Sequence, residues 1–202
     1  MLGATAEIDV LRRYDRVAIA LHWLIAVGVI GQIALGWWMI DIPKQPAGVR
    51  AWWFNVHKSV GMTLAALIVL RILWRVLHRP PPLPAQVPSW QAGAARASHF
   101  LLYACMVVMP LAGYLGSTFS GYPIKLYGLT LPAWGWRDDA AKDFFSALHL
   151  TTACIFMGLI ALHVAAALKH GLLDRDGVFT RMWPGVRTVR APTEYAQRRH
   201  GA

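Results

Sequence analysis

The chain has 202 residues, of which 56% are hydrophobic, only 15% are charged and 10 are tryptophan. A soluble domain of this length rarely carries so little charge, and the apolar residues fall in runs of about 20, the length that crosses a bilayer. The net charge of +10 sits in loops and tails beside those runs, a topology pattern rather than the clustered face of a nucleic-acid binder, so no nucleic-acid partner is expected.

In chain order, residues 1–16 read as a polar N-terminal segment, too polar before too long an apolar run for a cleaved signal peptide. The first predicted span covers 17–40. A loop with Pro43 and Pro46 and the pair Trp52-Trp53 lead into a second span over 54–77. Residues 80–90 contain five prolines and cannot continue a helix. A third span covers 97–119 with Pro110 inside it, a polar loop fills 120–143, and a fourth span covers 144–170. Residues 171–202 form a basic tail. Lipid offers no partner to an unpaired backbone group, so the spans must be helical and the fold class is all-α, an integral membrane four-helix bundle.

Charge counting orients the bundle. Residues 71–96 carry four arginines and no acid, and the tail from Lys169 carries seven Lys/Arg against three acids. The opposite loops, 41–58 and 120–143, carry six Lys/Arg against four Asp. The positive-inside rule therefore places both termini in the cytoplasm of a multi-pass inner-membrane protein, with Trp37, Trp38, Trp52, Trp53, Trp134 and Trp136 at the outer interface.

Histidines inside spans mark sites, because lipid penalises them. His22, His57, His149 and His163 are so placed. His149 and His163 are 14 residues apart, about 21 Å along the axis and about 40° short of four full turns, so they share one face at two depths. Span direction levels His22 with His163 near the cytoplasm and His57 with His149 near the outside. Two cross-helix imidazole pairs fit two haem b groups stacked across the bilayer, each ligated on both sides. Tetrahedral zinc is excluded by the distance between the pairs and the lack of carboxylates. No Cys-x-x-Cys-His occurs to attach haem covalently; Cys105 and Cys154 both lie in apolar runs.

Supporting residues recur at the same spacing. Gly36, 14 residues after His22, is expected to make room for the outer porphyrin, and Gly61 lies one turn after His57; both could equally be small-residue helix contacts. Arg71, 14 residues after His57, is expected to meet an inner-haem propionate, and Phe156, midway between His149 and His163, to fill the space between the haems. His99 and His170 lie near cytoplasmic span ends, where they could contact a propionate or a quinone, or be interfacial and hydrated.

With these residues placed, the chain resembles the bacterial cytochrome b561 family of four-helix dihaem membrane proteins. The resemblance is carried by Arg13-Tyr14-Asp15-Arg16, Leu21-His22-Trp23-Leu24, His57-Lys58-Ser59-Val60-Gly61, Leu70-Arg71, and His99 with Tyr103 and Met109-Pro110-Leu111-Ala112-Gly113. It continues in Tyr127-Gly128-Leu129-Thr130-Leu131-Pro132, His149 and the run from Leu162-His163 to Lys169-His170, and covers about residues 12–184. The resemblance implies that the same four histidines are the haem ligands and that electrons reach the membrane quinone pool. It also implies a superoxide oxidase activity, in which superoxide outside the cytoplasm gives its electron through the haems to ubiquinone. Lys44, Arg50, Lys58, Lys125, Arg137 and Lys142 are available to steer that anion, although Asp41, Asp138, Asp139 and Asp143 share their loops. Two further readings stay open: an electron-relay subunit docked to a periplasmic dehydrogenase or cytochrome, and a non-catalytic transporter or scaffold. The expected partners are the lipid bilayer, quinone and a small periplasmic donor, with a homodimer also admitted.

Overall fold

The computed structural model describes residues 13–46, 48–84 and 86–185. Four helices dominate it: α1 (Arg16–Ile40), α2 (Val49–Leu77), α3 (Ser89–Thr118) and α4 (Asp139–Leu168). Each is long and apolar enough to cross a membrane. Most of their apolar surface faces outward, with Val27 67%, Ile30 59% and Leu162 60% exposed. In water such exposure would be strongly unfavourable; lipid is its natural solvent.

The helices begin earlier than the apolar runs suggest, α2 by five residues, α3 by eight and α4 by five. Their first turns are polar or interfacial and extend each helix beyond the hydrocarbon. Local chemistry sets the starts. Asp138 caps α4 by accepting from the Ala141 N–H at 2.9 Å, and Asp15 caps α1 by accepting from the Ala18 N–H at 2.9 Å. α3 continues without a break through Pro110.

Asp15 also accepts from the Trp74 indole N–H at 3.0 Å, tying the start of α1 to the end of α2. Partial burial alone would raise its pKa, but the hydrogen bonds from Ala18 and Trp74 outweigh that and hold it below the ordinary carboxylate value. A depressed folded-state pKa gives stability that is complete above the unfolded value and is lost as pH falls through the folded one. Asp15→Ala should therefore lower stability by about 1 kcal/mol at neutral pH. Thermal melting followed by circular dichroism should show the wild-type advantage shrinking as pH drops below the usual carboxylate range.

The polar loop of 120–143 contains a two-stranded hairpin, β1 (Lys125–Leu126) and β2 (Leu129–Thr130), paired antiparallel. Tyr127 and Gly128 form its two-residue turn with φ of 49° and 93°, the left-handed pair that this tight hairpin requires. The hairpin is anchored on Ser59, only 2% exposed, whose hydroxyl accepts from the Tyr127 N–H at 2.9 Å and lies 3.1 Å from the Lys125 carbonyl. At the same end, Trp38 and Trp52 stack edge-on against Trp53.

α1 packs along α2 and α3 along α4, with α2 and α3 joining the two pairs. The buried core gathers Ile25, Val29, Leu64, Ile68, Cys105, Met106 and Phe156. α4 stands off from α1 and α2, making few backbone contacts with either. After α4 the chain forms a π-helical turn (Lys169–Asp174) and a 3-10 turn (Phe179–Met182). This segment straps the end of the bundle where α1 begins: the Trp23 indole donates to the Met182 carbonyl at 2.7 Å, and Arg13 donates to that of Trp183.

Candidate functional site

The seam between α4 and the α1–α2 pair is where the span histidines meet. His22 of α1 faces His163 of α4 with ring centres 6.3 Å apart, and His57 of α2 faces His149 of α4, also at 6.3 Å. The rings cross at 75° and 80°. All four are half-buried. The helices that carry each pair are those that barely touch through their backbones, so each pair bridges a gap.

Hydrogen bonds position these rings. His149 Nδ1 lies 2.8 Å from the Met109 carbonyl of α3, an acceptor that fixes the proton on Nδ1 and leaves Nε2 with its lone pair. His57 Nδ1 is buried without a hydrogen-bond partner. The His57 carbonyl accepts from Gln32 Nε2 at 2.8 Å, which holds the start of α2 against α1.

Glycines allow the close approach. A Cβ on Gly36 would lie 3.3 Å from His57 Cε1, so this residue faces the outer pair from α1. Gly61 faces α1 itself: a Cβ there would meet Gln32 Nε2 at 3.2 Å. Its connection to the outer pair runs through Gln32 and the His57 carbonyl. Gly113 of α3, to which sequence reasoning gave no role, comes closest, its missing Cβ lying 3.0 Å from His149 Nδ1. Its spacing of one turn from Met109 on the same helix is the signal that could have found it.

At the other level, Arg71 donates to the Ala18 carbonyl at 3.1 Å, one turn before His22, and its guanidinium lies 5.9 Å from the Tyr103 ring centre. Phe156 is 3% exposed, within the core. His99 of α3 lies closer than sequence depth suggested, with its ring centre 5.4 Å from that of His163. His170 Nδ1 bonds to Asp176 at 2.6 Å and lies 3.4 Å from Asp174. The donor atoms of His170, Asp174 and Asp176 lie within 4.8 Å of one another, but Lys169 pairs with Asp174. The group is satisfied by its own charges.

On the outer side, Arg137 pairs with Asp139 at 3.2 Å and Lys142 with Asp143 at 2.8 Å. Arg50 donates to the Ile40 and Ile42 carbonyls at the end of α1. Lys44, Lys58 and Lys125 have no ion pair among the described residues.

Comparison with known proteins agrees with this architecture. The family model for prokaryotic cytochrome b561 matches residues 13–185. "Cytochrome b561 homolog 2" of Escherichia coli (strain K12) is 38% identical over 176 residues, covering 84% of this chain and 90% of that protein. "Probable superoxide oxidase CybB" of Yersinia pestis is 27% identical over 174 residues, covering 86% and 97%, and "Cytochrome b561 homolog 1" of Escherichia coli (strain K12) is 26% identical over 180 residues, covering 86% and 98%. The matched stretch contains all four helices and every span histidine, and the chain belongs to the prokaryotic cytochrome b561 family of membrane electron-transport cytochromes.

Proposed function

We propose that this chain is a dihaem cytochrome of the bacterial inner membrane, with both termini cytoplasmic, that passes electrons from superoxide outside to ubiquinone. One observation carries the reading: the two imidazole pairs share one separation, 6.3 Å between ring centres. A metal–nitrogen bond of about 2.0 Å plus about 1.1–1.2 Å from nitrogen to ring centre, counted on both sides, gives about 6.3 Å. His22 with His163 and His57 with His149 are therefore the pairs that would each hold one haem iron. The 5.4 Å between His99 and His163 is too short for an iron held in line between them, which supports His22 as the inner partner.

Further features fit haem. His57 Nδ1 is a buried nitrogen without a partner, and Gly36 and Gly113 leave room for the His57 and His149 rings to lie where they would hold such a group. When bound, haem would supply one-electron transfer. His149 is held as a Nδ1–H tautomer by Met109, presenting Nε2 as the donor atom. Arg71 stands one turn from the inner pair as the guanidinium for a propionate. His99 and His170 are the polar contacts for quinone or a propionate on that side, with Asp176 holding the His170 ring.

Outside, Lys58 beside His57 and Lys125 on the hairpin, like Lys44, have no ion pair among the described residues, and they draw an anion toward the outer pair. Two superoxide anions lose one electron each to become dioxygen, and ubiquinone takes two electrons and two protons to become ubiquinol. The similarity to a protein named probable superoxide oxidase supports this donor.

Stopped-flow mixing of the purified protein with superoxide should reduce the haem bands rapidly, with reoxidation when ubiquinone is present. The rate should fall as ionic strength rises. A protein that superoxide leaves oxidised, and that purifies with a stable periplasmic partner able to reduce it, would instead be a relay subunit.

A further inference from the structure

Where α1 begins and α2 ends, a cleft of about 760 Å³ opens between the two helices, the proline linker and α3. Arg13, Arg71, Arg75 and Arg79 line it together with His78, and Asp15 is the one acid on its walls among the described residues. Arg71 and Arg75 lie one turn apart on one face of α2, and Arg79 follows just past the extended residue His78 that ends the helix. Arg71 and Arg75 both lie over the Tyr103 ring, at 5.9 and 5.5 Å.

Interior counter-charge does not account for this gathering. None of the four arginines makes an ion pair among the described residues. Asp15 is already committed to the Ala18 and Trp74 N–H groups. Two polar atoms on the cleft walls, Arg13 Nε and the Tyr103 hydroxyl, are buried without a hydrogen-bond partner. Buried polar groups are rarely left unsatisfied, and converging guanidinium groups repel one another unless an anion joins them.

The walls are braced from a distance. Arg181, 3% exposed, donates to the Pro81 and Pro82 carbonyls at 2.9 and 2.8 Å, fixing the linker that closes one side. Arg13 is held by the Trp183 carbonyl of the same strap. Segments about 100 and 170 residues apart in sequence thus meet to shape the cleft, which topology charges alone would not need. The volume of the cleft lies within the range of complete ligand pockets, about 300–1,000 Å³.

We propose that this cleft binds a phosphate group through Arg13, Arg75 and Arg79, as the headgroup of an anionic phospholipid or as a free phosphate. Arginine forks match phosphate oxygens in pairs, and the Tyr103 hydroxyl and Arg13 Nε supply the remaining donors. Leu21, Trp74, Met182 and the prolines give the cleft apolar walls beside the arginines, which suits a headgroup with its acyl chains attached. The inference is independent of the haem ligation and the electron donor proposed above.

The test is thermal melting of the purified full chain in nanodiscs of phosphatidylcholine with and without phosphatidylglycerol. A parallel titration in detergent compares inorganic pyrophosphate with sodium chloride at matched ionic strength. Phosphatidylglycerol should raise the melting temperature by several degrees, the double variant R75Q/R79Q should lose more than half of that rise, and R96Q, exposed on α3 outside the cleft, should keep it. A matching rise with pyrophosphate identifies free phosphate as a ligand; a rise with the lipid alone assigns the site to a headgroup. The proposal is overturned if neither exceeds its control, or if R75Q/R79Q keeps the full rise and loses haem instead, which would leave the arginines serving propionates only. Should the double variant not fold, the wild-type response to lipid and pyrophosphate decides by itself.

Discussion

Alanine at His57 or His149 is expected to remove about half of the haem from the purified protein, and alanine at His22 or His163 the other half. Each pair meets across the seam where α4 stands off from α1 and α2, so each site depends on one side chain from each wall. Losing one ligand leaves a non-covalent group held from one side only. The two levels lie about 21 Å apart along α4, too far for the remaining pair to compensate and far enough for it to survive. Pyridine haemochrome counting gives the stoichiometry, and a redox titration shows which of two components is missing. His99→Ala separates a ligand from a contact: its ring lies 5.4 Å from His163, too close for an iron between them, so haem content should fall far less than in the His163 variant. Equal loss of both haems in all four variants would sink the two-level arrangement.

The second large effect is expected at a residue with no chemistry of its own. Gly113→Val should weaken the outer haem by about 10- to 100-fold, the usual cost of disturbing a group that orients a metal ligand. A Cβ at this position falls 3.0 Å from His149 Nδ1 and 3.1 Å from Cε1, tighter than most packed side-chain contacts. The ring must then give way by a few tenths of an ångström, and further for the branched valine, which strains its hydrogen bond to the Met109 carbonyl. Alanine should have the same effect in weaker form. Gly158→Ala is the matched control on α4, because a Cβ there meets nothing within 4 Å. Haem retention during size-exclusion chromatography, followed by the spectrum of the retained fraction, separates the outcomes; a Gly113→Val protein with both haems at full occupancy would show that the contact is not needed.

The four spans were legible because lipid leaves few options: about 20 apolar residues are needed to cross it, and only a helix satisfies the backbone on the way. The levels of the span histidines followed from the same regularity, since a fixed rise per residue turns sequence spacing into depth, and His22 and His163, like His57 and His149, do meet. Helix starts were less legible, because the first turn of α4 that Asp138 caps and the polar first turn of α3 are helical for local reasons that apolarity does not record. The hairpin at Tyr127-Gly128 was hidden in a polar loop, where its stability depends on Ser59, 68 residues away from Tyr127.

Helical periodicity thus determined the number of spans, their helical form and the depth of each histidine, since these depend on the chain's own geometry and on lipid as solvent. Rotation about each helix axis, and the distance between axes, were decided only in the tertiary structure. It turned Gly61 toward Gln32, brought Gly113 against His149 and His99 toward His163, and folded the strap around Met182 over the arginine cleft. Those choices rest on side chains from different helices competing for the same space, and spacing along one chain does not contain that competition.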